Sequence, residues 1–266
     1  DVCAQQNGIS IAGMPASYVA GSHKRVSGDT LTLTHNAFTS IASACGSLGP
    51  TDISQFHLLG KAFSFTVDLS QVPCACNIAL YLVSSPAMDE AGMPSKGRGD
   101  YYCDANMVGG QWCPEIDIME ANTAVYQATP HKCDAPVGAK QNHYNNCDRG
   151  GCFQNTKDLA NSYGPGAGFT IDTTKPFDAT TEFPESGGQL VGYKTILKQG
   201  GKQVVMDHPG CAADYLATLT QAVTNGMSMA ISYWGNSAQT MAWMDQPPCG
   251  PEVCDASTAL PGHISN

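Results

Sequence analysis

Positive charge is scarce in this sequence: 13 Lys+Arg stand against 23 Asp+Glu among 266 residues, a net charge of −10. That balance excludes nucleic acid or an anionic membrane surface as the main partner. Charged residues of both signs reach only 14%, too few for a coiled coil or a long helical bundle. No apolar run approaches the roughly 18–20 residues that a helical membrane span needs. The chain has no Asn-x-Ser/Thr sequon, so carbohydrate on Asn is not expected. It also has no internal repeat, low-complexity linker or break in composition. One domain over residues 1–266, without a linker or a separate carbohydrate-binding module, is therefore the expectation. Tight CxxC or HxxxH zinc spacings are missing. Nothing in the spacing asks for a metal, a nucleotide or an organic cofactor.

What is plentiful is turn and cross-link chemistry: 28 Gly, 16 Pro and 12 Cys. The cysteines are even in number, dispersed, and set in Gly-, Pro- and Asn-rich loops, which reads as a disulfide framework from an oxidising compartment. A secretory leader is expected to have been removed ahead of Asp1, making the protein extracellular. Residues Ala62 to Leu69 alternate, with Phe63, Phe65, Val67 and Leu69 on one face and Ser64, Thr66 and Asp68 on the other. Thr30 to His35, Asn77 to Ser84, Val191 to Lys198 and Met227 to Trp234 are further strand candidates. One helix is predicted near Ala212 to Thr224, ended by Asn225-Gly226. Thr129 to Tyr163 is a long irregular stretch, of the kind that is functional or held by bridges. An all-β fold follows, with two stacked antiparallel sheets burying the apolar faces.

The densest chemistry lies in Pro114-Glu115-Ile116-Asp117-Ile118-Met119-Glu120-Ala121-Asn122. Strand parity sends Glu115 and Asp117 to one face and Glu120 to the other. Burying Glu120 among apolar side chains is costly. A β-bulge between Asp117 and Glu120 avoids that cost and returns Glu120 to the acidic face. At ~3.3 Å per residue the two glutamate backbones lie ~13–16 Å apart. Leaning over Asp117, their carboxyls can approach the ~5–5.5 Å separation of a retaining glycosidase. One glutamate then attacks the anomeric carbon, while the other protonates the leaving oxygen. Asp117, crowded between like charges, serves to separate their pKa values.

Around that strand the sequence resembles glycoside hydrolase family 7, the fungal endoglucanases and cellobiohydrolases. The likeness runs from Leu58-Leu59-Gly60-Lys61-Ala62-Phe63-Ser64-Phe65 through Asn77-Ile78-Ala79-Leu80-Tyr81 and Tyr102-Cys103-Asp104 into Glu120-Ala121-Asn122. It continues through Thr129-Pro130-His131-Lys132-Cys133, Tyr163-Gly164-Pro165-Gly166, Ser232-Tyr233-Trp234 and Met241-Ala242-Trp243-Met244-Asp245, and spans roughly residues 28 to 266. The resemblance implies a concanavalin-A-like β-jelly roll with an open cleft on the concave face of its two curved sheets. It implies Glu115 as nucleophile, Glu120 as acid/base, Asp117 as the residue tuning the nucleophile and His131 beside the acid/base. Asn77 and Tyr81, four apart on one strand, are expected to face the sugar near the nucleophile, with Asp104 at a further cleft position. Trp234 and Trp243 match the family's sugar-stacking platforms, while Trp112 has no clear counterpart. The implied bridges are Cys3–Cys45, Cys103–Cys113, Cys133–Cys147 and Cys152–Cys211, with Cys74 and Cys76 pairing to Cys249 and Cys254 in either order.

The chain departs from the family in length. Only nine residues separate Cys103 from Cys113, where the family carries a long excursion, so the resemblance implies an open cleft and internal cleavage. The segment Gln246-Pro247-Pro248-Cys249-Gly250-Pro251-Glu252-Val253-Cys254 lacks the expected basic residue. The leading expectation is a secreted, monomeric, retaining endo-β-1,4-glucanase acting on a polysaccharide. The alternatives are a polysaccharide lyase or hydrolase on a uronate-containing glycan, with Lys132, His143, Arg149 and Lys157 as neutralising cations, and a non-catalytic glycan-binding protein.

Overall fold

The computed structural model describes residues 2–46, 48–96 and 101–265, with side chains from residue 5 onward. Among the described residues thirteen strands join in one antiparallel sheet. From one edge the order is Lys202–Met206, Lys194–Gln199, Phe177–Glu182, Ala62–Asp68, Gly262–Ser265, Thr30–Ala42, Ser228–Gly235, Cys76–Val83, Glu115–Ala121, Tyr126–His131 and Gln154–Asn155. Ser17–Ser27 pairs along Thr30–Ala42 and carries the short Gly8–Ile9.

The two expected layers are the two halves of this continuous sheet, folded over so that their apolar faces meet. Thr30–Ala42 makes the passage. Its first residues, Thr30 to Leu33, pair with Gly262–Ser265, while Ala37 to Ser40 pair with Ser228–Gly235. Asn36 turns the strand with φ 68°, and the partner strand breaks register between Ser22 and Lys24, where His23 takes φ 55°. Beside it, a Cβ on Gly21 would lie 2.1 Å from the Phe38 carbonyl oxygen, so only glycine fits that approach. The Tyr126 and Phe177 rings, from strands well separated in the sheet, meet at 6.4 Å across the core. This is the jelly-roll expectation realised as one bent ribbon.

Alternation decides what faces where. In Cys76–Val83, Ile78, Leu80 and Leu82 enter the main core, whereas Ala79, Tyr81 and Val83 form a separate cluster on the opposite face. The predicted strands at 30, 62, 77 and 227 are present, while the one predicted from Val191 begins at Lys194. Its first residues belong instead to a hairpin end, where the Val191 amide donates to the Pro184 carbonyl. The predicted helix is split into Ala213–Ala217 and Thr220–Asn225, ending at Gly226 with φ 100°. At the break, the Thr218 hydroxyl donates to the Tyr215 carbonyl at 2.6 Å, competing with the helical ladder.

Among the described residues five disulfides lock the loops: Cys74–Cys249, Cys76–Cys254, Cys103–Cys113, Cys133–Cys147 and Cys152–Cys211. The open alternative at Cys74 and Cys76 is thereby resolved, and the Cys3–Cys45 bridge falls on a Cys3 side chain outside the described residues. No helix among the described residues is long and apolar enough to cross a membrane.

Candidate active site

The acidic strand Glu115–Ala121 is buried throughout, and the bulge anticipated from its sequence is present. On one side Leu80 pairs with Met119 and Tyr81 with Asp117; on the other Asp117 pairs with Thr129 and Glu120 with Gln127. Ile118 has no partner in either register. Ile116, Ile118, Met119 and Ala121 all enter the core, so two consecutive side chains point inward and Glu120 returns to the face of Glu115 and Asp117. Three carboxyls therefore line one cavity of about 990 Å³.

Bulging leaves carbonyls in need of partners. Two core tyrosines supply them. The Tyr193 hydroxyl donates to the Asp117 carbonyl at 2.8 Å, and the Tyr126 hydroxyl donates to the Ile118 carbonyl at 2.9 Å. Neither tyrosine was singled out in the sequence, because their role depends on which residue the bulge expels.

On the cleft side each acid has a distinct partner. The Ala105 amide donates to Glu115 Oε2 at 3.0 Å. That amide is presented by the short Cys103–Cys113 loop, whose turn is closed by Asp104 Oδ1 accepting from the Asn106 and Val108 amides, each at 2.9 Å. Asn77 Nδ2 donates to Glu120 Oε1 at 3.1 Å, and Asn77 Oδ1 accepts from the Ala121 amide. Asn77, expected to face the sugar near the nucleophile, is not among the residues lining the cavity. Asn77 is fully buried and braces Glu120 from beside the strand, and the cavity wall is made by its neighbours. Tyr81 does line the cavity, its hydroxyl 3.0 Å from that of Tyr102.

His131 fixes the proton count. Its Nδ1 lies 2.9 Å from the Asp148 carbonyl oxygen, which can only accept, so Nδ1 carries a proton. Its Nε2 lies 2.9 Å from Asp117 Oδ2, and that contact needs one proton between the two atoms. Whichever side holds it, the Asp117–His131 pair is neutral overall. Burial then pushes all three carboxyls well above the usual carboxylate range. Asp117 adds repulsion on Glu115 and Glu120, Asp104 adds it on Asp117, and the Asn77 amide opposes the rise at Glu120. His131 opposes the rise at both Glu115 and Glu120.

Trp234, 36% exposed, and Trp243, 43% exposed, both line the cavity. Trp243 rides on the helix Ala238–Asp245, capped by Ser237, an element the sequence pattern did not reveal. Sequence reasoning also passed over Phe153, which is 51% exposed on the cavity wall. Of the four loop cations weighed for an acidic glycan, only Arg149 lines the cavity. Lys132 sits 5.0 Å over the Tyr215 ring, Lys157 Nζ donates to the Met244 carbonyl and His143 Nδ1 contacts the Met88 carbonyl. A possible metal grouping among the described residues is Cys74, Asp245 and Cys249, whose two sulfurs are bonded to each other.

Comparison with known proteins identifies the family. The model of the family described as Glycosyl hydrolase family 7 matches residues 2–108 and 103–215. An endoglucanase EG-1 of Trichoderma longibrachiatum is 31% identical over 287 residues, covering 92% of this chain and 58% of the relative. A probable endo-beta-1,4-glucanase celB of Aspergillus clavatus is 28% identical over 256 residues, covering 80% and 61%. The chain thus spans about three-fifths of the length of these curated relatives. Among solved structures, an endoglucanase I complexed with cellobiose superposes with TM-score 0.72 at 20% identity, over 98% of this chain and 94% of the other. The native Humicola insolens endocellulase EGI gives TM-score 0.70 at 24% identity, over 92% and 76%. These two carry the fold.

Proposed function

The chain belongs to glycosyl hydrolase family 7, and on that premise we propose that it is a secreted retaining endo-β-1,4-glucanase, a single catalytic unit over residues 1–266. The observation that carries the proposal is the bulge that puts Glu115, Asp117 and Glu120 on one buried cleft wall. A carbohydrate-binding protein gains nothing from three crowded carboxyls, each of which burial disfavours as an ion.

In the first step Glu115 attacks the anomeric carbon as a carboxylate, supported by the Ala105 amide. The glycosidic C–O bond breaks as the Glu120 proton passes to the leaving oxygen. Asn77 occupies Glu120 Oε1, so Oε2 bears the proton. In the second step Glu120, now ionised, takes a proton from water. The water oxygen bonds to the anomeric carbon, Glu115 leaves, and the β configuration is retained. Asp117 lies between the two glutamates on the same face, its Oδ2 held 2.9 Å from His131 Nε2. Trp234 and Trp243 offer flat faces to the C–H faces of glucosyl units. Extracellular action fits the disulfide framework, and a β-glucan is the polymer partner.

The test is Glu115→Gln. Its unfolding midpoint is expected to stay at or above that of the wild type, while hydrolysis of cellohexaose falls by several orders of magnitude. Proton NMR of the first product formed by the wild type is expected to show the β anomer. An α anomer, or an unsaturated product, overturns the proposal.

A further inference from the structure

Arg149 and Phe153 are exposed side chains on the cavity wall that have no part in the chemistry above. The segment that carries them is rigid. The Asp148 carbonyl accepts from His131 Nδ1, Asp148 Oδ2 accepts from the Tyr215 hydroxyl at 2.8 Å, and Cys152 is bridged to Cys211. Between them Gly151 takes φ 63° so close to the sheet that a Cβ there would lie 2.5 Å from Thr129 Cγ2.

Arg149 is the one Lys or Arg among the described residues lining the cavity. Its guanidinium lies 5.0 Å over the Trp112 ring, giving Trp112 a role that the sequence left open. That platform is itself held. The Trp112 backbone bridges to both Asp104 and Tyr144, and the next residue is the disulfide-bonded Cys113. A guanidinium over an aromatic face is attracted by the ring and can still donate from its planar N–H fork. Asp104, Glu115, Asp117 and Glu120 share the cavity, yet none of them forms an ion pair with Arg149 among the described residues. A fixed fork of donors beside a half-exposed aromatic face matches hydroxyl groups and an apolar C–H face on one ring.

Direction follows from Glu115 and Glu120. They lie on one strand and must approach a sugar from opposite sides, so the glycan crosses the strands. Trp234 lies on the wing over Ser228–Gly235, whereas Phe153 directly precedes the edge strand Gln154–Asn155. Asn77, on the Trp234 side, holds Glu120 Oε1. The proton-bearing Oε2 is thereby turned toward the opposite wing.

We propose that Arg149, stacked on Trp112, and Phe153 form a leaving-group subsite for a neutral pyranosyl unit. The proposal rests on the hydrolase reading above. Neutrality follows from the acidic lining, in which Asp104, Glu115, Asp117 and Glu120 face a single guanidinium.

The experiment compares Arg149→Ala, Phe153→Ala and Arg149→Lys on cellohexaose and on an aryl β-cellobioside, whose leaving group is not a sugar. Each alanine variant is expected to raise KM for cellohexaose about tenfold. Its loss in kcat/KM on cellohexaose should exceed its loss on the aryl substrate by the same factor. Lysine keeps the charge without the fork and is expected to recover only part of the loss. Calorimetric titration of cellohexaose into Glu115→Gln, with and without Arg149→Ala, reads the subsite even if the wild type turns nothing over. In that way a failure of the hydrolase reading is distinguished from a failure of this one. Equal losses on both substrates, unchanged affinity, or tighter binding of a glucuronate oligomer than of cellohexaose would overturn the subsite.

Discussion

Replacing Tyr193 by Phe removes one oxygen from the core and nothing else. The ring keeps its contacts with Phe183 at 5.8 Å and His208 at 4.7 Å, so no cavity of consequence forms. What is lost is the 2.8 Å hydrogen bond to the Asp117 carbonyl. A buried acceptor left without its partner costs about 1–3 kcal/mol. Tyr126→Phe does the same to the Ile118 carbonyl and is expected to cost a similar amount. The two carbonyls belong to one bulge, so the double variant is expected to lose less than the sum, because a bulge already relaxed has less left to lose. Urea unfolding midpoints at constant slope measure this. Activity supplies the second readout. If the bulge slips by one residue, parity turns Glu120 toward the apolar core. At a temperature where the variants remain folded, kcat is therefore expected to fall while KM for cellohexaose stays near the wild-type value. The acid limb of the rate profile should shift as Glu120 changes surroundings. Two singles each within about 0.5 kcal/mol of wild type, or a stability loss with unaltered kcat and pH profile, would refute the idea that these hydroxyls hold the catalytic geometry.

Glu120→Gln carries a pH signature of defined sign. The native carboxyl sits well above the ordinary carboxylate range through burial, so the folded state holds its proton over a window in which the unfolded chain, near pH 4.3, has released it. Glu120 therefore costs the wild type nothing below about pH 4 and progressively more as pH rises through that window, at roughly 1.4 kcal/mol per pH unit. The variant should match the wild type near pH 4 and exceed it at pH 8 in chemical unfolding; a difference flat with pH rules this out. Buried His208, its pKa pushed down to about 4, acts in the opposite direction, but it is common to both proteins and cancels in the comparison. Gly151→Ala forces a left-handed residue to carry a side chain, costing about 1–2 kcal/mol from the backbone alone. The new Cβ would lie 2.8 Å from His131 Nδ1, so kcat should fall with it, and a variant of wild-type melting point and rate would contradict the close packing described.

Much of the site was legible because it is local. The spacing Glu115, Asp117, Glu120 on a strand poses a parity conflict, and the cost of burying a carboxylate leaves a bulge as the cheapest answer, which the register bears out. The strand expected from Asn77 to Ser84 is likewise present, as Cys76–Val83. What failed to show depends on distant partners. Asn77 was assigned to the right face, but whether an amide on that face meets a sugar or a neighbouring carboxyl depends on the Glu120 rotamer, which no pattern encodes. Trp243 sits on a short helix whose apolar residues Met241 and Met244 pack on Val125, and eight residues are too few for a periodicity to stand out. Arg149 reads as one more exposed loop cation until the chain closes and brings Trp112 beneath it. The tyrosines are the clearest case. Tyr126 and Tyr193 read as ordinary large core residues, and in sequence nothing separates a phenol that only fills space from one whose oxygen completes a strand. The distinction arises when the bulge frees carbonyls facing an apolar core. The same local decision that turns Glu120 outward thus creates, on the opposite side of the strand, the demand that only a remote hydroxyl can meet.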